Sequence, residues 1–146
     1  VLFFTYNIYF RSMENQKQNS PLMENVVMAG FPSPADNYGS QPLDLNELLV
    51  RKPSATFFVR AMGDSMLEAG IDSGDILVVD RSLDPLDNDI VIACIQNEFT
   101  VKYFRKDSDG IALVPANKKY KEIRFKDDMQ LEIFGVVTAT IKQFRK

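Results

Sequence analysis

Short runs of β-branched and aromatic residues, separated by turn-forming residues, follow one another along the chain after Pro53. Each run is too short for a stable helix and has the composition that is typical of strands. The pattern predicts six strands, at residues 56–60, 76–80, 90–95, 99–104, 111–114 and 131–141. Short strands at roughly regular spacing indicate an all-β or strongly β-dominated domain.

Two local features join this pattern. The runs on either side of Gln96-Asn97-Glu98 predict a hairpin, because Asn97 tolerates the left-handed conformation that a tight turn needs. Before the strands, residues 43–50 have apolar side chains at helical spacing, which predicts two turns of helix. Asp44 is the expected N-cap of that helix.

The first part of the chain, residues 1 to about 42, has no pattern that could bury a core and is interpreted as an arm. Its first ten residues are mostly apolar, but a membrane-spanning helix needs about 20 such residues. A signal peptide would place basic residues before the apolar run, and none stands there. We interpret this run as a disordered or start-codon-dependent extension, with a docking segment or a weak membrane contact as alternatives. Either Val1 or Met13 could be the physiological start.

Composition restricts the chemistry. The 146 residues include no histidine and one cysteine, which excludes Ser-His-Asp and Cys-His catalysis, histidine metal sites and disulfides within the chain. We expect neither a metal nor a cofactor. With 17 Lys and Arg against 20 Asp and Glu, the net charge is −3, so direct nucleic-acid binding is not expected. The unpaired Cys94 fits a reducing compartment, and the cytoplasm is the expected location.

One candidate nucleophile lies in the segment Gly63-Asp64-Ser65-Met66, between two predicted strands. A glycine before a serine allows a sharp turn, and N–H groups exposed at such a turn can stabilise an oxyanion. Glycine, aspartate and serine are also the commonest turn residues, so this segment taken alone is weak evidence for a nucleophile and favours a purely structural turn.

Lys102 is the candidate base. In residues 99–104, strand alternation places Thr100, Lys102 and Phe104 on one face. The lysine could lie on an edge strand and extend into water. It could instead be buried, in which case desolvation would favour the neutral amine, which can accept a proton from a serine hydroxyl.

These residues resemble the LexA/UmuD family of self-cleaving serine–lysine peptidases, and the UmuD branch most of all. The similarity extends from about Gly30 to the C-terminus. Its motifs include Ala29-Gly30, Gly30–Pro34, Leu43–Asn46, Pro53–Thr56, Val59–Met66, Asp75–Asp80, Asp89–Ala93, Glu98–Lys102, Pro115-Ala116-Asn117 and Phe134–Val137.

The resemblance implies a curved or barrel-like fold of short, largely antiparallel strands with a flexible N-terminal arm. It makes Ser65 the nucleophile, Lys102 its general base and Ala29-Gly30 the bond that is cut. Backbone N–H groups of Asp64 and Ser65 would hold the oxyanion. The chain would then consist of a removable arm, residues 1–29, and a peptidase-like core, residues 30–146.

The cut site also fits physically, since Ala29 suits a narrow pocket and Gly30 lets the backbone enter a crowded cleft. Val27 lies on the same side of an extended strand as Ala29 and could fill a second apolar pocket. One departure from the family is Asn88, which stands where glycine is expected and can still adopt a positive φ.

The resemblance also implies partners: a second copy of the chain in a homodimer, a RecA nucleoprotein filament that stimulates the cut, and a UmuC-like translesion polymerase. Arg11 and Lys17 are the only basic residues before the cut site, which makes a DNA-binding repressor domain there a poor fit. Two alternatives remain open. One is a signal-peptidase-like enzyme that cleaves other proteins with the same dyad, and the other is a non-catalytic interaction module in which the dyad is a relic.

Overall fold

The computed structural model describes residues 20–24, 27–30, 39–125 and 131–145. Contacts divide the chain into two units, Val1–Leu48 and Leu49–Lys146. In the first unit, β1 (Ser20–Met23) pairs antiparallel with β2 (Ser40–Leu43), and nearly all of their residues are exposed. The sequence did not predict this pair. The first ten residues lie outside the described part of the chain.

A short helix, α1 (Leu45–Leu49), follows β2. The Asp44 Oδ1 accepts hydrogen bonds from the N–H groups of Asn46 at 2.9 Å and Glu47 at 3.4 Å, which confirms the predicted N-cap. The helix has five residues and is therefore shorter than the two turns predicted. Within the described ranges, no helix is long and apolar enough to cross a membrane.

The second unit is one antiparallel sheet with two 3₁₀ turns, Pro53–Ala55 and Leu67–Ala69. In its described part, the sheet has seven strands in the order β3-β4-β9-β5-β6-β7-β8. The strands are β3 (Thr56–Arg60), β4 (Ile76–Asp80), β5 (Ile90–Ile95), β6 (Glu98–Asp107), β7 (Gly110–Val114), β8 (Ile123–Phe125) and β9 (Leu131–Ile141). Every neighbouring pair is antiparallel, which confirms the predicted fold class.

The predicted turns also form. Gln96 and Asn97 join β5 to β6 with φ values of 50° and 66°, and two central residues with positive φ are the mark of a tight hairpin turn. Asn88 has a φ of 73°, so it adopts the conformation expected of the glycine it replaces. Strand β8 was not predicted.

The core consists of two apolar clusters, and β5 contributes to both because its side chains alternate between the faces of the sheet. Ile92 packs with Leu77 and Val79 of β4 in the first cluster. Val91 and Ala93 belong to the second. Burying one such leucine or valine contributes about 1.5–3 kcal/mol to stability, and the first cluster also anchors the segment that carries Ser65.

Strand β9 is irregular at two places, where its pairing register shifts against β4 and against β5. Gly135 lies between these shifts. A Cβ atom added there would lie 2.7 Å from the Val79 Cγ1 and 3.1 Å from the Asp80 carbonyl oxygen. The close approach of β4 to β9 therefore requires a glycine at this position.

We expect Gly135→Ala to lower the free energy of unfolding by about 1–3 kcal/mol, because the added methyl group overpacks a contact with backbone that cannot move away freely. Urea denaturation monitored by circular dichroism measures the change. Glu132→Gln, an exposed substitution in the same strand, is the control and should change the free energy of unfolding by less than about 0.5 kcal/mol. Equal stabilities for the two variants would contradict this interpretation of β9.

Candidate active site

Ser65 lies on a turn between β3 and the 3₁₀ turn Leu67–Ala69. Gly63, two residues earlier, has a φ of 91°, a conformation that side chains with a Cβ rarely adopt. The next residue, Met66, is buried in the first core cluster. The turn is thus anchored on one side of Ser65 and sharply bent on the other, while Ser65 itself stays half-exposed.

The segment that leads to Ser65 is held by the loop at residues 72–75. The Ala61 N–H donates to the Asp75 carbonyl and the Gly74 N–H to the Ala61 carbonyl, both at 2.8 Å. Asp75 is itself buried, and the Lys142 ammonium donates a hydrogen bond to its carboxylate. That bond, followed by one from the Asp72 N–H, lowers the pKa of Asp75 and keeps the carboxylate charged.

Lys102 lies in the middle of β6, which has β5 on one side and β7 on the other. It is not on an edge strand, and only 8% of the residue is exposed. Burial lowers the pKa of the Lys102 amine from its usual 10.5, because the charged form loses its hydration. The sequence left open whether Lys102 extends into water from an edge strand or is buried. In the structure it is buried.

Among the described residues, the Lys102 Nζ has three hydrogen-bond partners: the Ser65 Oγ at 3.0 Å, the Thr100 Oγ1 at 2.6 Å and the Val101 carbonyl oxygen at 3.0 Å. None of these three groups carries a negative charge. Hydrogen bonds, and not an ion pair, therefore compensate for the hydration that the buried amine loses. A neutral amine has two N–H donors and one lone pair. With donation to Thr100 and Val101, the lone pair faces the Ser65 hydroxyl, which is the arrangement a general base requires.

A cleft of about 220 Å³ opens beside Ser65. Its walls come from the end of β3 and the following segment, from β5 and from the start of β6. The side chains at these positions are mainly apolar: Val59, Ala61, Met62, Met66, Ile71, Ile92, Phe99 and Val101. The Phe99 ring packs edge-on against Phe134, with centroids 5.5 Å apart, which supports that wall of the cleft.

The three residues predicted at the cut site belong to the other unit. Ala29 and Gly30 are exposed, and so is Val27 at 85%. An exposed peptide bond with small residues on both sides can enter a cleft without loss of packed contacts. Their roles, like those of Ser65, Lys102 and the backbone of Asp64, remain predictions.

Sequence reasoning missed some side chains around Ser65. It placed Thr100 on the face of Lys102 but gave it no role, although strand alternation alone puts residues i and i+2 side by side. It also missed Tyr120, whose hydroxyl donates to the Asp64 carboxylate. This hydrogen bond, together with the charge of Asp64, raises the pKa of Tyr120. No group of three or more His, Cys, Asp or Glu within the described ranges could hold a metal ion.

The sequence is similar to a known peptidase family and to individual proteins over most of its length. A family model described as Peptidase S24-like matches residues 21–138. Protein SamA of Salmonella typhimurium is 48% identical over 132 residues, which cover 90% of this chain and 91% of SamA. Protein MucA of Escherichia coli is 43% identical over 136 residues, 92% of each chain.

A LexA repressor from Desulfatibacillum aliphaticivorans is 35% identical over 125 residues, which cover 84% of this chain but 61% of the repressor. The relatives SamA and MucA thus match over nearly their whole length, whereas the repressor has a further part that this chain does not match. On the extent of these matches, the chain belongs to the S24-like peptidase family, the LexA/UmuD family that its sequence motifs predicted.

Proposed function

We propose that this chain is a UmuD-like protein of the SOS response that cuts its own Ala29–Gly30 bond with Ser65 as nucleophile and Lys102 as general base. The processed chain, residues 30–146, would form a homodimer in the cytoplasm. That homodimer would serve as the accessory subunit of an error-prone translesion polymerase of the UmuC type.

The observation that carries this proposal is the pairing of Ser65 and Lys102. Their reacting atoms are 3.0 Å apart, within the hydrogen-bond distance that proton transfer needs. The lysine is buried and has no carboxylate among its hydrogen-bond partners in the described part of the chain, so the neutral form is accessible. The chain has no histidine, which makes an amine the base best suited to activate a serine.

In the first half of the reaction, the Lys102 Nζ accepts the Ser65 hydroxyl proton as the Oγ attacks the Ala29 carbonyl carbon. Backbone N–H groups of the Asp64–Ser65 turn stabilise the oxyanion that forms. The Lys102 ammonium then returns the proton to the Gly30 nitrogen as the Ala29–Gly30 bond breaks. The intermediate is a chain that begins at Gly30 and carries residues 1–29 as an ester between the Ala29 carbonyl and the Ser65 Oγ.

In the second half, Lys102 takes a proton from a water molecule, which attacks the ester carbonyl. The proton returns to the Ser65 Oγ as the ester breaks, and the arm leaves with a free carboxylate at Ala29. Both halves use the same base and the same oxyanion donors. The enzyme form that starts the reaction is therefore restored.

The shape of the cleft supports Ala29 as the residue before the cut. A space of about 220 Å³ with apolar walls accommodates a methyl side chain and part of an extended backbone. Val27 would point to the same side and contact the apolar wall. Extended peptides of this kind bind by adding a strand beside an existing one.

The partners rest on the resemblance and on relatives such as SamA and MucA, which match over nine-tenths of their length. A RecA filament on single-stranded DNA would stimulate the cut by favouring the conformation in which the arm occupies the cleft. The filament would then supply no catalytic group, and the chain alone should cleave slowly.

The rate of this spontaneous cleavage is expected to increase with pH. Only neutral Lys102 can accept the serine proton, and the neutral fraction increases about tenfold per pH unit below the lysine pKa. Because burial lowers that pKa below 10.5, the rate should level off before an ordinary lysine would be neutral. Gel densitometry of the purified full chain, incubated without RecA between about pH 7 and pH 10, measures the profile.

A Ser65→Ala chain incubated at each pH controls for hydrolysis that does not use the dyad. Its background rate is subtracted before the profile is fitted. A Ser65-dependent rate that stays constant across this range would contradict a lysine base.

A further inference from the structure

The loop that follows β7, residues 115–120, holds the turn of Ser65 through its main chain. The Ala116 N–H donates to the Ser65 carbonyl oxygen at 2.8 Å. In return, the Ala116 carbonyl accepts the Glu68 N–H, also at 2.8 Å. The turn and the loop are thus joined in both directions directly after Ser65.

Asn117 adds a side-chain contact directly before Ser65. Its Nδ2 donates to the Asp64 carbonyl oxygen at 2.7 Å, a shorter contact than the 3.4 Å from the Leu67 N–H to the same oxygen. Asn117 is 9% exposed, so this hydrogen bond has little competition from water. The main constraint on the Asp64 carbonyl therefore comes from one buried amide.

The orientation of the Asn117 amide is fixed as well. Its Oδ1 accepts the Lys119 N–H at 3.0 Å. With the amide reversed, the NH₂ group would face that N–H and the oxygen would face the Asp64 carbonyl, so both contacts would become repulsive. The loop thus ensures that Asn117 presents a donor to the turn.

The Asp64 carbonyl and the Ser65 N–H belong to the same peptide group. The described peptide bonds are trans, and in a trans peptide the N–H points opposite to the carbonyl. Holding the carbonyl toward Asn117 therefore directs the Ser65 N–H away from Asn117. No acceptor within the described ranges pairs with that N–H, so it is available to a ligand.

We propose that Asn117 is a positioning residue that fixes the Asp64–Ser65 peptide so that the Ser65 N–H faces the oxyanion formed at the cut bond. This inference rests on the proposed function, in which Ser65 attacks a peptide carbonyl. An oxyanion donor is effective only if it already points to the developing charge, since its reorientation during the reaction would cost free energy. Asn117 never touches the substrate and acts through the peptide that does.

Two variants remove the donor in different ways. Asn117→Ala removes the whole amide. Asn117→Asp keeps the shape and the acceptor for the Lys119 N–H, but its carboxylate is ionised at alkaline pH and cannot donate. Should the alanine variant lose its fold, the aspartate variant carries the test. Asn46→Ala, at an exposed asparagine in α1, is the matched control and should cleave like the wild type.

The experiment measures spontaneous cleavage of each full chain against pH, together with its melting temperature. Both Asn117 variants should lose about 10- to 100-fold in the maximal rate, somewhat less than the loss of an oxyanion donor itself. In Asn117→Ala, which adds no charge, the pH midpoint should stay at the wild-type value, because Lys102 and its hydrogen-bond partners are unchanged.

Three results would overturn the inference. The first is a maximal rate within about threefold of the wild type in a folded Asn117 variant. The second is a rate loss in Asn117→Ala with a shifted pH midpoint, and the third is a rate loss in either variant that parallels a large fall in melting temperature. Cleavage that persists in Ser65→Ala would instead overturn the proposed function, so the two failures are distinguishable.

Discussion

Replacing Ser65 with alanine is expected to leave the full-length chain intact under every condition in which the wild type is cut. The variant lacks the Ser65 Oγ, the atom that we propose forms the acyl-enzyme, and Lys102 would have no proton to accept from it. Loss of a nucleophile removes nearly all of the rate that the catalytic groups supply together, so we expect a loss of at least about 10³-fold. Gel densitometry at alkaline pH and with a RecA filament measures the loss.

Ser108→Ala is the matched control. Ser108 is exposed in the turn between β6 and β7, and its loss should leave the cleavage rate at the wild-type value. The melting temperature of Ser65→Ala should be close to that of the wild type, because Ser65 is half-exposed and the substitution removes only its hydroxyl group. Efficient cleavage by a folded Ser65→Ala chain would show that another group is the nucleophile.

Replacing Lys102 with methionine is expected to abolish cleavage as well. Methionine has nearly the length of lysine and suits an apolar interior, so it keeps the volume of the side chain without the amine. The Ser65 hydroxyl would then have no base, a loss of about 10²- to 10⁴-fold if proton transfer is the whole contribution of Lys102. Because the buried amine has no ion-pair partner among the described residues, its removal should leave the chain folded.

Lys106→Met, in the same strand but exposed, controls for the loss of a lysine from β6. It should cleave at the wild-type rate with the same pH dependence. A folded Lys102→Met chain that is still cut at Ala29–Gly30 would exclude Lys102 as the base, and a pH profile unchanged by this substitution would do the same.

Strand alternation predicted most of the sheet because most strands are long enough to show it. The bounds of β3, β4, β5 and β9 are those that the sequence predicted, and the positive φ values of Asn97 and Asn88 follow from asparagine chemistry. The strands that the sequence did not predict are short. Strand β8 has three residues, and β1 and β2 pair Pro21 with Pro42, residues that argue against a strand when judged locally.

The sequence predicted the local structure around each residue of the candidate site but not how these residues come together. A turn at Ser65 and a strand at Lys102 follow from local chemistry, but 37 residues separate them, and no local rule brings them together. The motif resemblance supplied that pairing, and tertiary packing supplied the burial of Lys102. Asn117 stands 53 residues from Asp64, so its contact with the turn could be found only from the fold.

This separation along the chain also explains why the sequence placed Asn117 in a family motif but predicted no function for it. An asparagine after Pro115-Ala116 is typical of any turn. Its hydrogen bond to the Asp64 carbonyl gives it a specific task, which is to set the direction of one N–H group.

The most direct test of self-cleavage is intact mass spectrometry of the purified full chain, incubated alone at alkaline pH and with a RecA filament on single-stranded DNA. We predict one new large product whose N-terminus is Gly30, formed slowly in the first condition and faster in the second. The same incubations of Ser65→Ala should yield only the full-length mass. A wild-type chain that stays intact in both conditions, or a product that begins elsewhere than Gly30, would contradict the account.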